Sequence, residues 1–241
     1  MIQLVKRERF LQTKLGCRKL RVLLVSDLAE MGIRIGRDRF FSVLRKSGLL
    51  IKRRRRGTPR TTNAIHRFRA YPNLLKGLLP TKAHEAWVSD ITYVRTEGGW
   101  LYVFLISDVF SRKIVGLAVG GTLEAKWNVR ALEMAIKQLP GKARTIHHSD
   151  RGIQYCCADY VKILESRGLR ISMTEENHCA ENAQAERLNG ILKQEYGLGE
   201  TFRTKMQALT AIRDAVRLYN ERRPHTSLGY RIPAQVHAEA V

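Results

Sequence analysis

The chain has 241 residues and carries 43 Lys and Arg against 22 Asp and Glu, a net charge of +21. The excess is concentrated, with 21 basic and 4 acidic side chains in residues 1–80 but 22 and 18 in residues 81–241. A localised positive field favours a polyanion through counterion release, and the apolar run from Tyr102 to Ile106 is far too short to cross a bilayer.

Four cysteines, Cys17, Cys156, Cys157 and Cys179, show no Cys-x-x-Cys spacing, which fits reduced thiols rather than a disulfide framework. Neither His147-His148 nor His178-Cys179 matches the spacing of a common structural zinc site. The N-terminus lacks the apolar core of a signal peptide, so an intracellular protein is expected.

In chain order, Leu20, Leu24, Leu28 and Met31 stand at helical spacing and predict one helix over 18–31. A second helix is predicted over 37–47, with Phe40, Phe41 and Leu44 inward and Gly48 as its C-terminal cap. The run Lys52-Arg53-Arg54-Arg55-Arg56 cannot pack and must face solvent or phosphate. Residues 57–83 hold Pro59, Pro72 and Pro80 with little periodicity and read as a linker.

From Trp87 the pattern changes. Val88–Val94, Trp100–Val109 and Lys113–Val119 are strand-like, with connections short enough for an antiparallel meander. A helix over 124–139, a strand from Ala143 to Asp150, a helix over about 158–167 and a strand from Leu169 to Met173 follow. Another helix begins near Glu181, and Thr204-x-x-Gln207 is a capping box that opens a last long helix. This order is that of a ribonuclease-H-like α/β fold: a mixed five-stranded sheet flanked by helices, preceded by a small basic all-helical region. The division that follows is a basic helical DNA-binding region over 1–56, a linker over 57–83, a core over 84–203, and a C-terminal helix and tail over 204–241 packing on the core.

Three carboxylates stand out: Asp90 in WVSDITYV, Asp150 in IHHSDRG and Glu186 in ENAQAERLNGILK, the last two separated by thirty-five residues. Alternation puts Ile146, His148 and Asp150 on one strand face. Asn182, Glu186, Asn189 and Lys193 form one polar stripe on a helix, within roughly a 60° arc at about 100° per residue. Carboxylates converging from two strands and a helix can hold two divalent cations for phosphodiester chemistry. Any one of the three, taken singly, reads as a turn cap or a solvated charge. Asp108, at a strand end before Phe110-Ser111-Arg112, reads as a stabiliser of its hairpin. Arg223-Pro224-His225 reads as a brace between the last long helix and the core.

WVSDITYV, FLISDVFSRKIVG, HHSDRGIQY, SMTEENHCAENAQAE and YNERRPHTSLGYRIPAQV, in this order, resemble the OrfB product of the IS-three family of bacterial insertion-sequence transposases, whose core resembles retroviral integrase. The resemblance covers nearly the whole chain, the N-terminal part more loosely. It implies that Asp90, Asp150 and Glu186 are an acidic catalytic triad and metal ligands, and that Lys193 contacts the element end. It implies two Mg2+ ions, with Mn2+ able to substitute, and double-stranded DNA, both element ends and target, as partner. A homo-oligomer on DNA, a fused or separate upstream reading-frame product, and a cytoplasmic, nucleoid-associated bacterial setting are further implications, with no membrane partner. The implied activity is metal-dependent cleavage of the element end and strand transfer, the first attack joining the two ends. Arg53 to Arg56 are the expected phosphate contacts. The family's Asp-Asn pair before the glutamate is here Glu181-Asn182, which leaves the role of Glu181 open. The alternatives are a nuclease of the same fold without strand transfer and a non-catalytic DNA-binding regulator.

Overall fold

The computed structural model describes residues 1–51, 69–141, 144–175 and 181–240. Four helices open the chain: α1 (Ile2–Leu11), α2 (Cys17–Leu23), α3 (Val25–Glu30) and α4 (Arg37–Lys46). The predicted helix over 18–31 is two helices, broken at Leu24, and α1 precedes them. Leu20, Leu24, Leu28, Phe40 and Leu44 bury themselves with Val5 and Leu15 in a small separate core, while Met31 stays exposed. Gly48 takes a φ of +67° just past α4, as its predicted cap role requires.

The sheet is built from β1 (Ala86–Thr96), β2 (Gly99–Asp108) and β3 (Ile114–Gly120), an antiparallel meander, followed by β4 (Ile146–Ser149) and β5 (Arg170–Met173). Strand order is β3-β2-β1-β4-β5, with β4 parallel to β1 and β5 parallel to β4. A two-residue β6 (Thr201–Phe202) adds to the far end of β1. One face carries α5 (Ala125–Ile136), α6 (Ile153–Cys156) and α7 (Ala158–Ser166), packed over Trp87, Phe104, Ile106 and Val115. The other carries α8 (Ala183–Glu195) and α9 (Lys205–Glu221), packed over Val94, Val103 and Leu105 through Leu188, Leu192 and Ile212. Each such buried side chain contributes roughly 1.5–3 kcal/mol. The two apolar faces of the meander thus fix two helical layers, as the alternation predicts. Thr204 Oγ1 accepts the Gln207 N–H at 3.1 Å and starts α9. A 3-10 turn and α10 (Pro233–Ala238) finish the described chain.

The last part of the segment expected as a linker is tied to the sheet edge. Leu74 N–H donates to Ser172 Oγ at 2.8 Å, and Asn73 Nδ2 donates to Glu181 Oε2 at 3.0 Å. The helical N-terminal unit is docked as well. Glu8, almost fully buried, accepts from Arg222 at 2.6 Å, and Lys19 pairs with Glu195 at the end of α8. Glu195 also accepts two hydrogen bonds from the buried Arg223, at 2.8 and 3.0 Å, with that guanidinium over the Tyr219 ring. Arg223 therefore braces α9 against α8, the role read for the Arg-Pro-His segment.

Candidate active site

Register brings Asp90 and Asp150 together. β1 and β4 pair Ala86 with Ile146, Trp87 with His147 and Val88 with His148. Two residues further along each chain stand Asp90 and Asp150, on one face by the two-residue period. Asp150 lies just beyond β4 rather than in it, and its Oδ1 accepts the Gly152 N–H at 2.9 Å. Gly152 leaves that carboxylate its place: a Cβ there would lie 2.9 Å from the same oxygen.

Glu186 arrives from the layer above, exposed on the first turn of α8. The polar stripe read from the sequence faces β1. Asn182 Nδ2 donates to Ser89 O at 3.1 Å, and Asn189 Nδ2 to Asp90 Oδ2 at 2.7 Å. Lys193 Nζ lies 4.0 Å from the centre of the Tyr93 ring. Helical side chains lean toward their N-terminus, so Lys193 is brought back within range of Asp90's charge although it sits two turns past Glu186. Burial lowers the Lys193 pKa and Asp90 opposes that.

The electrostatics are those of crowded like charges. Burial, then the neighbouring charges of Asp150 and Glu186, push the Asp90 carboxyl up to about 7, against the opposing hydrogen bonds from Ile91 N–H and Asn189. The three carboxylates share one electrostatic neighbourhood without sharing one ligand sphere: among the described residues, no three His, Cys, Asp or Glu side chains converge to hold an ion as they stand. The donors nevertheless suit a hard divalent cation. The repulsion at Asp90 is what such a cation would relieve. Asn189 Oδ1 is buried there without a hydrogen-bond partner among the described residues. Glu186 is exposed beside the pair, and its charge acts on Asp90.

The other residues singled out by sequence fall elsewhere. Asp108 pairs in register with Trp87 and so points to the opposite face from Asp90. Its Oδ1 accepts from Ser111 N–H and Oγ, both at 2.7 Å, and its Oδ2 from His84 N–H at 2.8 Å, closing the β2–β3 hairpin as read. His148 is fully buried against Ser172 Oγ at 2.8 Å, its pKa pushed down to about 4 by burial. Glu181 accepts from Asn73 Nδ2 and from Glu175 N–H, a structural tie between loops. Arg53, Arg54, Arg55 and Arg56, and Cys179, lie outside the described residues.

Two features escaped the sequence reading. Arg18 on α2 with Arg37 and Arg45 on α4 line a concavity together with Phe41, Ser42 and Asp38, the last paired with Arg37 at 2.8 Å. The signal was present, because Arg37, Phe41 and Arg45 recur at intervals of four. The second is Tyr155, in the segment after Asp150, which is buried beneath the carboxylates. Nothing in a lone tyrosine marks that.

Models of the integrase core domain match residues 80–179 and 167–233. Among solved structures, the catalytic core of HTLV-2 integrase, determined with magnesium, superposes with a TM-score of 0.53 at 17% identity, over 65% of this chain and 98% of that one. A chain of the simian T-cell lymphotropic virus intasome in complex with PP2A regulatory subunit B56 gamma gives 0.55 at 19% identity, over 73% and 60%. The fold and the matched segments define a polynucleotidyl transferase of the integrase class.

Two relatives narrow the class. The chain is 40% identical over 221 residues to the 31 kDa protein of insertion element IS600 from Shigella sonnei, spanning 91% of this chain and 79% of that protein. It is 32% identical over 214 residues to transposase InsF of insertion sequence IS3A from Escherichia coli, spanning 88% and 74%. The chain belongs to the IS3 family of insertion-sequence transposases, enzymes that move DNA.

Proposed function

We propose that Asp90, Asp150 and Glu186 are the catalytic carboxylates, and that together they cut the element end and join the freed 3′-hydroxyl to a second phosphodiester. The observation that carries this is that Asp90 on β1 and Asp150 just past the parallel β4 lie in one electrostatic neighbourhood with Glu186 on the facing helix, Asp90 being driven toward protonation by burial and then by those two charges. The three would hold two divalent cations, Mg2+ or Mn2+, which supply Lewis-acid activation of the attacking oxygen and neutralisation of the leaving one. Asn189 fixes one oxygen of Asp90, and Gly152 N–H fixes one of Asp150, so the donor set is partly preorganised. Lys193, braced on Tyr93, presents its ammonium to a DNA phosphate beside the carboxylates. The strand-transfer reading is supported over a simple nuclease by the family to which the chain belongs.

DNA would be gripped mainly by the N-terminal basic region, residues 1–56, joined through 57–83 to the core of 84–203 and the C-terminal segment 204–241. Arg53 to Arg56 and the concavity of Arg18, Arg37 and Arg45 supply phosphate contacts, which position the duplex without reading its sequence. A homo-oligomer on paired element ends, and an upstream reading-frame product as partner or fusion, complete the assembly. The test is incubation with DNA carrying the element ends and Mg2+, followed by mapping of nicks and joints. Nicks at the ends without any joints would leave only the nuclease. Replacing Arg53–Arg56 by Ala should weaken binding to all sequences alike and flatten the dependence of affinity on salt; an unchanged slope removes them from the interface.

A further inference from the structure

Tyr155 sits on α6, five residues past Asp150, and is 2% exposed. Its ring is locked from two sides. Tyr160 meets it edge-on at 5.7 Å between centroids, and His147 tilts against it at 6.3 Å. The two tyrosines differ in one respect. Tyr160 Oη is matched with His147 Nε2 at 2.9 Å, a nitrogen that Ser89 Oγ also approaches at 2.7 Å. Tyr155 Oη is equally buried and has no hydrogen-bond partner among the described residues. Leaving a buried hydroxyl unpaired costs about 1–3 kcal/mol, and a phenylalanine would fill the same space without that cost.

The side chain lies against the acidic site. The point where a Gly152 Cβ would stand is 2.9 Å from Asp150 Oδ1 and 3.6 Å from the ring edge of Tyr155. Carboxylate and tyrosine thus flank the glycine, with Gln154 Oε1 3.3 Å from the same point. The charges of Asp90 and Asp150 both act on the hydroxyl, after burial itself, to hold its proton on. It is a protonated hydroxyl within the electrostatic reach of both carboxylates.

Building on the carboxylate reading above, we propose that Tyr155 is a positioning residue for the metal-binding carboxylates. Its hydroxyl donates to the oxygen of Asp150 or Asp90 that faces away from the cation, fixing the carboxylate's rotation once the cation has drawn it into place. A ligating carboxylate keeps spare lone pairs for such a donor, and loss of an outer-shell partner typically lowers metal affinity 10–100-fold. The buried hydroxyl is then a donor available to a metal-holding carboxylate.

The full-length Tyr155→Phe protein tests this without relying on activity alone. Mn2+ is titrated into metal-free wild type, Tyr155→Phe and Asp150→Asn and followed calorimetrically, and each metal-free protein is melted. Tyr155→Phe should bind Mn2+ about tenfold or more weakly, melt at the wild-type temperature or above without metal, and recover end cleavage at raised Mn2+. A Tyr155→Phe titration that superposes on wild type while Asp150→Asn loses binding overturns the tyrosine's role alone. Wild-type binding by Asp150→Asn overturns the carboxylate reading and this inference with it. A metal-free Tyr155→Phe that melts below wild type shows that the hydroxyl already serves the fold, and also overturns the proposal.

Discussion

Two aspartates on neighbouring strands of one sheet meet opposite fates. Asp108, at the end of β2, is fully buried and accepts three hydrogen bonds from His84 and Ser111. Asp90, on β1, accepts two, from Ile91 N–H and Asn189, and faces two further carboxylates. The first is a saturated acceptor whose charge is answered by the hairpin it closes. The second is held among like charges that no described cation fully answers. A carboxylate that stabilises a fold is recognised by its donors; one kept for chemistry is recognised by what crowds it.

The sharpest way to break this contrast is to neutralise each side in turn. Asp90→Asn, Asp150→Asn and Glu186→Gln should each reduce end cleavage and joining to background while far-ultraviolet circular dichroism and DNA affinity stay near wild type, because each swap keeps shape and removes charge. Wild-type turnover from any of the three would end its catalytic assignment.

On the other face, Asp108→Ala strands buried donors from His84 and Ser111 and should cost roughly 3 kcal/mol of stability, read as a shifted denaturant midpoint. Asp108→Asn keeps a carbonyl acceptor and should retain most activity per folded molecule. A folded Asp108→Asn protein with no chemistry would move Asp108 into the site and erase the distinction.

A subtler difference appears with pH. The Asp90 carboxyl is pushed from 3.8 up to about 7, so the metal-free fold holds a proton that the unfolded chain releases earlier. Its contribution to stability is complete below about pH 4 and drains away as pH rises toward and through about 7. Melting temperatures taken without divalent cations should therefore fall across that window in wild type and fall less in Asp90→Asn; parallel curves would show that Asp90 is not the titrating group. Mg2+ should bind better as pH climbs through 7, since it competes with that proton.

The smallest effect is expected at Lys193. Lys193→Ala should spare Mn2+ binding and lower cutting severalfold on cognate ends but not on scrambled DNA. Equal, near-wild-type rates on both substrates would make it a cation stacked on Tyr93 and nothing more.

Most of this architecture was legible because its signals are local. The meander announces itself through alternation in Val88–Val94 and the aromatic and β-branched run of Trp100–Val109, and the stripe of Asn182, Glu186, Asn189 and Lys193 along α8 and its N-cap follows from helical period alone. What stayed hidden depends on partners far along the chain. α1 lacks an apolar stripe because its inward face includes Glu8, whose partner Arg222 lies 214 residues away. The break between α2 and α3 falls at Leu24, with no Gly or Pro to mark it. Asp150 was placed in its strand, although the turn it makes to Gly152 N–H takes it just beyond. Tyr155 becomes informative only once its hydroxyl is seen without a partner.

The ion pair that joins Lys19 to Glu195 bears on how this enzyme can be rebuilt. Glu195 stands on the last turn of the helix whose first turn carries Glu186, and it is gripped by Lys19 from one side and Arg223 from the other. Cutting the chain near residue 80 would remove one of those cations from a carboxylate that is only 16% exposed. The two halves are therefore poor interchangeable cassettes. A chimera that borrows its N-terminal helices from a relative should bring Lys19 and Glu8 along with them, or replace Glu195 and Arg222 to match.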